Sequence, residues 1–369
     1  MSKAKETVLE IDLGALAHNY AYLKAKLKPD TKFMGVVKAF AYGSDSVAIA
    51  KKLQDLGVDY LAVAYVKEGV VLRKAGITVP ILVLHPLPAS FKKLIKHDLE
   101  PSIYSEKILL DFLRAAEEQG LGNYPVHLKF NTGLNRLGFR EDEVEHVCNL
   151  VKGRKEIRVE SVFSHLAASE DLNEAFFTKS QIAAYERITG MLDKGLGSKP
   201  LRHLLNTSGI INYPMAQYDM VRSGIGLYGY GNEAAIDKEL RPVARLKTII
   251  SQINRIPAGE TVGYNRKFTS QGPIVSATLP VGHADGIGRP YGKGKGYVVI
   301  NEKRAYILGN VCMDMIMVDV TDIDCKAGDE VIVFGGESSA ETLANHAGTI
   351  SYELLTGISQ RVKRVVLDE

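Results

Sequence analysis

Apolar and polar positions divide the chain into two textures. From Phe33 to Val221, short apolar runs alternate with stretches in which apolar residues recur every three or four positions. Eight such runs are legible: Phe33–Lys38, Tyr60–Ala64, Ile81–Leu84, Glu100–Ile103, Val126–Phe130, Val159–Phe163, Leu201–Leu205 and Asp219–Val221. Runs this short, with apolar residues on both faces, predict strands buried in a parallel sheet. Between them, Val47–Leu56, Glu106–Glu118, Asp142–Val151 and Glu174–Leu192 carry helical spacing. Eight strands with intervening helices predict an α/β fold, a (β/α)8 TIM-type barrel rather than an open doubly wound sheet. Upstream, Val8–Ile11 predicts a strand, and Asp12 caps a helix that carries Leu13, Leu16, Tyr20 and Leu23.

Beyond Leu240 the texture is β-branched, with Gly, Pro and Asp turns. Val243–Ile256, Ile274–Leu279, Tyr297–Ile300, Ile316–Val320 and Glu330–Phe334 predict strands, followed by a short helix near Glu341–Ala347 and a last strand at Arg361–Leu367. We therefore expect a barrel over residues 12–236 and a mainly β C-terminal domain over 237–369 that takes in the strand at 7–11, with the boundary near Asn232–Leu240. The GKGKG run at Gly292–Gly296 lacks the Gly-Lys-Ser/Thr ending of a P-loop and is expected to be a hairpin loop.

Composition narrows the function classes. A formal charge of +3 over 369 residues, without basic runs, leaves no electrostatic footprint for nucleic acid or an anionic membrane. Cys148, Cys312 and Cys325 cannot complete a disulfide framework, the N-terminal stretch MSKAKETVLEID has no apolar signal core, and no apolar run approaches ~18 residues. A cytoplasmic enzyme acting on a small molecule is the expectation. The nine histidines show no His-x-x-x-His or His-Glu-x-x-His spacing, and Gly-x-Ser-x-Gly is absent, so neither a metal site nor a hydrolase is expected.

Active sites of barrels collect at the carboxyl ends of the strands. Polar residues fall there: Lys38 after the first run, Lys129 near the end of the fifth with Arg136 beyond it, His165 after the sixth, Asn206-Thr207-Ser208 after the seventh and Arg222 after the eighth. Taken singly, Lys38 reads equally as a lysine that snorkels from a strand end, His165 as a core histidine and Asn206 as a helix cap. Five positions at one pole favour a site. A lysine with its stem in apolar surroundings loses solvation, so its pKa falls and it becomes a nucleophile for an aldehyde. Gly224-x-Gly226-x-x-Gly229 matches the dinucleotide fingerprint formally, but the chain leaves for the β domain where a second βαβ strand is required. Glycines after the last strands of a barrel suit one phosphate instead. A desolvated lysine facing a phosphate cradle suggests pyridoxal 5′-phosphate, held through an imine.

VVKAFAYGS around Lys38, LKFNTGLNRLGF at 128–139, FSHLAASED at 163–171, NTSG at 206–209, VRSGIGLYG at 221–229, VGYN at 262–265, VGHADG at 281–286, NVCMDMIMVDV at 310–320 and the final SYELL together resemble the alanine racemase family, in order and over nearly the whole chain. The resemblance implies that Lys38 carries the cofactor. It also implies that Tyr42, Thr207, Gly224, Ile225 and Tyr352 hold its phosphate, and that His165, Asn206 and Arg222 belong to the cofactor site. Tyr264 is implied in the active site of the partner subunit, making a homodimer with shared sites in which Lys38 and Tyr264 are the two acid/base groups. A tyrosine of ordinary pKa, near ~10, is a poor base, and His165 and Arg222 are the cations expected to lower it. Arg136 and Met313 are implied in substrate binding, and a carbamylated Lys129, Asp314 and, at the entrance to the pocket, His283 as supports. His283 stands where the family usually has tyrosine, Ser44 where histidine is frequent and Lys363 where proline is; His85-Pro86 lies outside the pattern, and none of these is expected to touch the chemistry. The implied reaction is interconversion of L- and D-alanine for peptidoglycan. A serine or broad-range racemase is the alternative on the same fold, and a cofactor-binding regulatory protein is disfavoured by the β domain that bears Tyr264 and Met313.

Overall fold

The computed structural model describes residues 4–231, 234–336 and 338–368. After an N-terminal strand, β1 (Val8–Asp12), eight strands close into a parallel barrel: β2 (Lys32–Val36), β3 (Tyr60–Val63), β4 (Ile81–Val83), β5 (Glu100–Ile103), β6 (Tyr124–Lys129), β7 (Ile157–Phe163), β8 (Leu201–His203) and β9 (Met220–Ser223). Closure is made by β9 on β2, with Met34 opposite Arg222 and Gly35 opposite Ser223. All eight expected runs hold a strand. The first ends at Val36, so Lys38 lies two residues past it, and the eighth extends to Ser223, so Arg222 sits inside it.

The second domain is built on a nine-stranded sheet. Its further strands are β10 (Ala244–Ile249), β11 (Gln252–Ile256), β14 (Ile274–Leu279), β15 (Tyr297–Ile300), β16 (Lys303–Leu308), β17 (Ile316–Asp319), β18 (Glu330–Phe334) and β19 (Lys363–Leu367), while β12 (Thr261–Val262) and β13 (Phe268–Thr269) pair separately. The sheet order is β11-β14-β17-β16-β15-β18-β10-β1-β19, so the first strand of the chain lies between β10 and β19 of this sheet. The single run Val243–Ile256 becomes two strands because their backbone partners diverge: Ile250 N–H bonds Asp329 O at 3.0 Å, whereas Ser251 N–H bonds Thr278 O at 2.8 Å. β16 has no counterpart among the expected strands. Gly292–Gly296 is not a hairpin loop, because β14 before it pairs with β11 and β17 rather than with β15. The loop docks on the end of β16 instead, through Lys293 N–H to Gly309 O (2.7 Å) and Gly294 N–H to Ile307 O (2.8 Å). The last strand starts at Lys363 because Arg361 turns away to Asp285 and Asp314. The expected boundary near Asn232–Leu240 begins on residues 232–233, which lie outside the described residues.

The two domains grip each other close to Lys38. Arg364 of β19 donates to Gly43 O at 2.9 Å, and a Cβ on Gly43 would lie 2.0 Å from Leu355 O, so only glycine (φ +80°) admits this approach. Among the described residues no helix is long and apolar enough to cross a membrane.

Candidate active site

Lys38 opens a tight turn, expected at Ala39–Gly43, whose left-handed conformation the sequence does not advertise. Ala39, Phe40, Ala41 and Tyr42 all have φ between +52° and +55°, one turn of left-handed helix made without glycine. Each such residue costs roughly 1–2 kcal/mol, so neighbours must hold the turn. Glu68 does: its carboxylate accepts from Ala39 N–H (2.8 Å) and also from Ala64 N–H (2.7 Å) and Tyr65 N–H (3.0 Å) at the end of β3. Sequence reasoning missed Glu68, whose capping role depends on a contact 29 residues away. The Lys38 amine is pushed below its ordinary pKa, first by burial and then by Arg136, with Glu68 opposing. It is therefore a better nucleophile than a surface lysine.

The same turn aims Tyr42 at the glycine loop. Its ring stacks on Tyr228 at 4.5 Å and lies 6.0 Å from the Tyr352 ring of the second domain. A Cβ on Gly224 would stand 2.1 Å from the Tyr42 hydroxyl, and one on Gly226 would stand 2.4 Å from Thr207 Cγ2. Gly224 precedes a 3-10 turn, Ile225–Tyr228, whose first N–H groups have no intrahelical acceptor. Thr207 Oγ1 shares a hydrogen bond with Ser223 Oγ (3.0 Å) and accepts from Gly226 N–H (3.2 Å). Asn206 caps the helix Thr207–Asn212 through Gly209 N–H at 2.9 Å. Hydroxyls and unclaimed N–H groups around a side-chain-free space make a cradle for a phosphate.

Lys38, Tyr42, His165, Asn206, Thr207, Arg222, Gly224, Ile225 and Tyr352, the whole expected cofactor set, line one cavity of about 670 Å³ together with Lys129 and Arg136. Among the described residues that line it there are four lysines and arginines and no aspartate or glutamate. Burial lowers the pKa of Lys129 to about 8, with Arg136, Arg222 and Lys38 adding to the effect. Arg222 is lowered to about 10 by burial and stays cationic at neutral pH. Its terminal nitrogens are fully engaged: Nη1 with His203 Nδ1 (2.7 Å) and His203 O (3.0 Å), Nη2 with Ser164 O (2.7 Å), Leu204 O (3.1 Å) and, more weakly, His165 Nδ1 (3.4 Å). His165 is held well below its ordinary value by burial and then by Arg222, so it is neutral and cannot be the second cation expected beside Tyr264. A wall of this charge suits an occupant with two anionic ends, a phosphate and a carboxylate. His85, set aside on sequence grounds, also lines the cavity, its ring 5.7 Å from those of Tyr65 and Tyr104.

Tyr264, Met313 and Asp314 do not line this cavity within one chain. They surround a separate concavity of about 360 Å³ on the second domain, where Tyr264 is 70% and Met313 59% exposed. Arg361 bridges Asp285 (2.7 Å) and Asp314 (2.7 Å) beneath that loop, and the exposed His283 is tied to it by its N–H to Cys312 O at 3.0 Å. A groove of about 760 Å³ at Asn301, Asp324 and Glu330 mixes both signs of charge and lacks the glycine cradle.

The cavity lies at the carboxyl ends of the barrel strands, the pole where enzymes of this fold keep their active sites. The family model for the alanine racemase N-terminal domain matches residues 11–232 and that for the C-terminal domain matches 243–366. An alanine racemase of Halothermothrix orenii is 37% identical, with 98% of this chain and 96% of that one covered. A solved Clostridium difficile alanine racemase is 36% identical with a TM-score of 0.92, covering 99% and 97% of the two chains. One from Bartonella henselae with covalently bound pyridoxal phosphate is 28% identical with a TM-score of 0.90, covering 99% and 100%. The chain belongs to the alanine racemase family.

Proposed function

We propose that the protein interconverts L- and D-alanine using pyridoxal 5′-phosphate held through Lys38, and so supplies D-alanine for peptidoglycan. The observation that carries this reading is a cavity whose wall, among the described residues, has four lysines and arginines and no carboxylate, beside a glycine loop that the Tyr42 hydroxyl approaches so closely that a Cβ on Gly224 would strike it. When bound, the cofactor supplies the electron sink that makes the α-hydrogen of an amino acid removable. Tyr42, Thr207, Gly224, Ile225 and Tyr352 hold its phosphate, with Asn206 and His165 beside them.

Lys38 takes or gives the proton on one face of Cα, its lowered pKa leaving more free amine at neutral pH. Tyr264 of the partner subunit serves the opposite face, and Met313 and Asp314, which border the same concavity of the β domain, arrive with it. This makes the enzyme a homodimer in which each site combines the barrel of one chain with the β domain of the other, the barrel spanning residues 12–236 and the β domain 237–369 with strand 7–11. Arg222 is the cation left to favour the tyrosinate, since His165 is neutral. Arg222 would be the residue to face the cofactor's ring nitrogen; a guanidinium cannot accept a proton, so it would leave that nitrogen unprotonated and would favour return of the proton to Cα over transamination. Arg136 binds the substrate carboxylate with both nitrogens. Lys129, half neutral near pH 8, is able to add carbon dioxide, and the resulting carbamate anion holds Arg136 in place.

The test is α-deuterium incorporation from deuterated water across a panel of amino acids, with chiral analysis of the products. Alanine should exchange fastest and racemise. Faster exchange of serine or of a broad set would replace alanine as the substrate, and cofactor binding without exchange of any amino acid would refute the reaction.

A further inference from the structure

Barrels are usually filled with branched apolar side chains, but this interior holds a buried polar line. Glu100 of β5, His127 of β6, Ser161 of β7 and His203 of β8 are all buried. They join end to end: Glu100 Oε2 to His127 Nε2 (2.6 Å), His127 Nδ1 to Ser161 Oγ (2.6 Å), Ser161 Oγ to His203 Nε2 (2.7 Å), and His203 Nδ1 to Arg222 Nη1 (2.7 Å). The two ends fix the direction together, because Arg222 can only donate and the Glu100 carboxylate accepts. A guanidinium only donates, so His203 Nδ1 accepts and its proton lies on Nε2. Ser161 Oγ then accepts from His203 and gives its own proton to His127 Nδ1. His127 in turn donates its Nε2–H to the Glu100 carboxylate. Phe163 holds the line in register: its ring lies parallel to His203 at 4.9 Å, and the Arg222 guanidinium carbon lies 5.4 Å from its centroid.

We propose that Glu100 is a positioning residue: through this one-way chain it sets the tautomers of His127 and His203, and thereby the pose in which Arg222 turns its remaining donor, the Nε–H, toward the cavity. Among the described residues, that Nε–H has no protein acceptor, whereas Nη1 and Nη2 are taken. Without an acceptor at position 100, the chain can reverse. His127 would move its proton to Nδ1 and donate to Ser161, competing there with the His203 Nε2–H that Arg222 imposes, so that either the line breaks at Ser161 or His203 turns over and sets an N–H against the Arg222 donor. The proposal rests on the reading that Arg222 faces the cofactor.

The experiment uses the cofactor-loaded enzyme with 15N-labelled histidine, read by solid-state NMR, beside steady-state kinetics. In the wild type, His127 and His203 should both carry their proton on Nε2. Glu100→Met should reverse at least one ring and lower kcat on the order of tenfold with little change in KM, the scale usual for partners that orient a site-facing imidazole. Glu100→Gln keeps an acceptor oxygen and should restore both tautomers and kcat. Should Glu100→Met fail to fold, Ser161→Ala breaks the chain with minimal volume change and should lower kcat similarly while moving the His203 Nε2 resonance. A wild-type His203 protonated on Nδ1, a Glu100→Met enzyme with native tautomers and native kcat, or a Glu100→Gln enzyme as impaired as Glu100→Met would each overturn the proposal. Because the tautomers are read without turnover, a wild type that shows them but racemises nothing supports the chain and refutes the reaction.

Discussion

Adding a single methyl group at Gly224 probes the cradle more sharply than removing any side chain around it. The Cβ of Gly224→Ala would stand 2.1 Å from the Tyr42 hydroxyl and 2.9 Å from its ring carbon Cζ, both far inside contact distance. Tyr42 cannot yield freely, because its ring stacks on Tyr228 and sits on a left-handed turn clamped by Glu68 and Arg364. Overpacking of this kind costs about 1–3 kcal/mol. If the hydroxyl is driven out of the cradle, the loss falls on the phosphate, and the dissociation constant for pyridoxal 5′-phosphate should rise about 5- to 150-fold. Titration of the cofactor-free protein by fluorescence quenching measures this, and thermal unfolding of the same sample shows how much of the cost the apo fold carries. An affinity equal to wild type would refute the assignment of Gly224 and Tyr42 to the phosphate.

Three further outcomes follow from the same geometry. Lys38→Ala should abolish the visible absorbance of lysine-linked cofactor while weak binding through the cradle persists, and borohydride reduction with peptide mapping should place the linkage in the wild type on Lys38 alone. Arg222→Glu should lower kcat and raise pyruvate formed per racemisation event, because a carboxylate lets the ring nitrogen take a proton; it should also destabilise the fold, since the carboxylate would face the carbonyls of Ser164, His203 and Leu204. For Lys129, whose pKa falls from 10.5 to about 8, the folded chain binds fewer protons than the unfolded chain between those values. In bicarbonate-free buffer its contribution to stability should therefore rise with pH across that window and be missing in Lys129→Met, and labelled bicarbonate should yield a carbamate 13C signal at Lys129 that grows as pH passes about 8.

What the sequence made legible was whatever depends on local period. Most barrel strands carry a short apolar run, and their carboxyl ends deliver Lys38, Lys129, His165, Asn206 and Arg222 to one cavity. The left-handed conformation at Ala39–Tyr42 was not legible, since alanine and aromatic residues carry no local signal for positive φ; partners distant in sequence, Glu68, Tyr228 and Arg364, hold it. β16 was hidden because its solvent-facing positions are Lys303, Arg304 and Tyr306, which break up the apolar run. The line from Glu100 to Arg222 needs the register of five strands at once, with His127 opposite Ser161 and Phe163 opposite His203, and no spacing along the chain encodes that. His85 was set aside because its place in the cavity depends on Tyr65 and Tyr104, from two other segments.

The account stands on Lys38 in one chain working with Tyr264 of the partner subunit, and a heterodimer of two dead mutants tests this directly. Lys38→Ala and Tyr264→Phe homodimers should each lose nearly all racemisation. In the mixed dimer, one site carries both defects, and the other combines an intact Lys38 with an intact Tyr264 from different chains. Co-expression with two affinity tags, isolation of the doubly tagged dimer and measurement of D-alanine formation should return about half the wild-type activity per dimer, from one whole site in two. A doubly tagged dimer that binds cofactor yet forms no D-alanine would contradict the shared site and place both groups in a single chain.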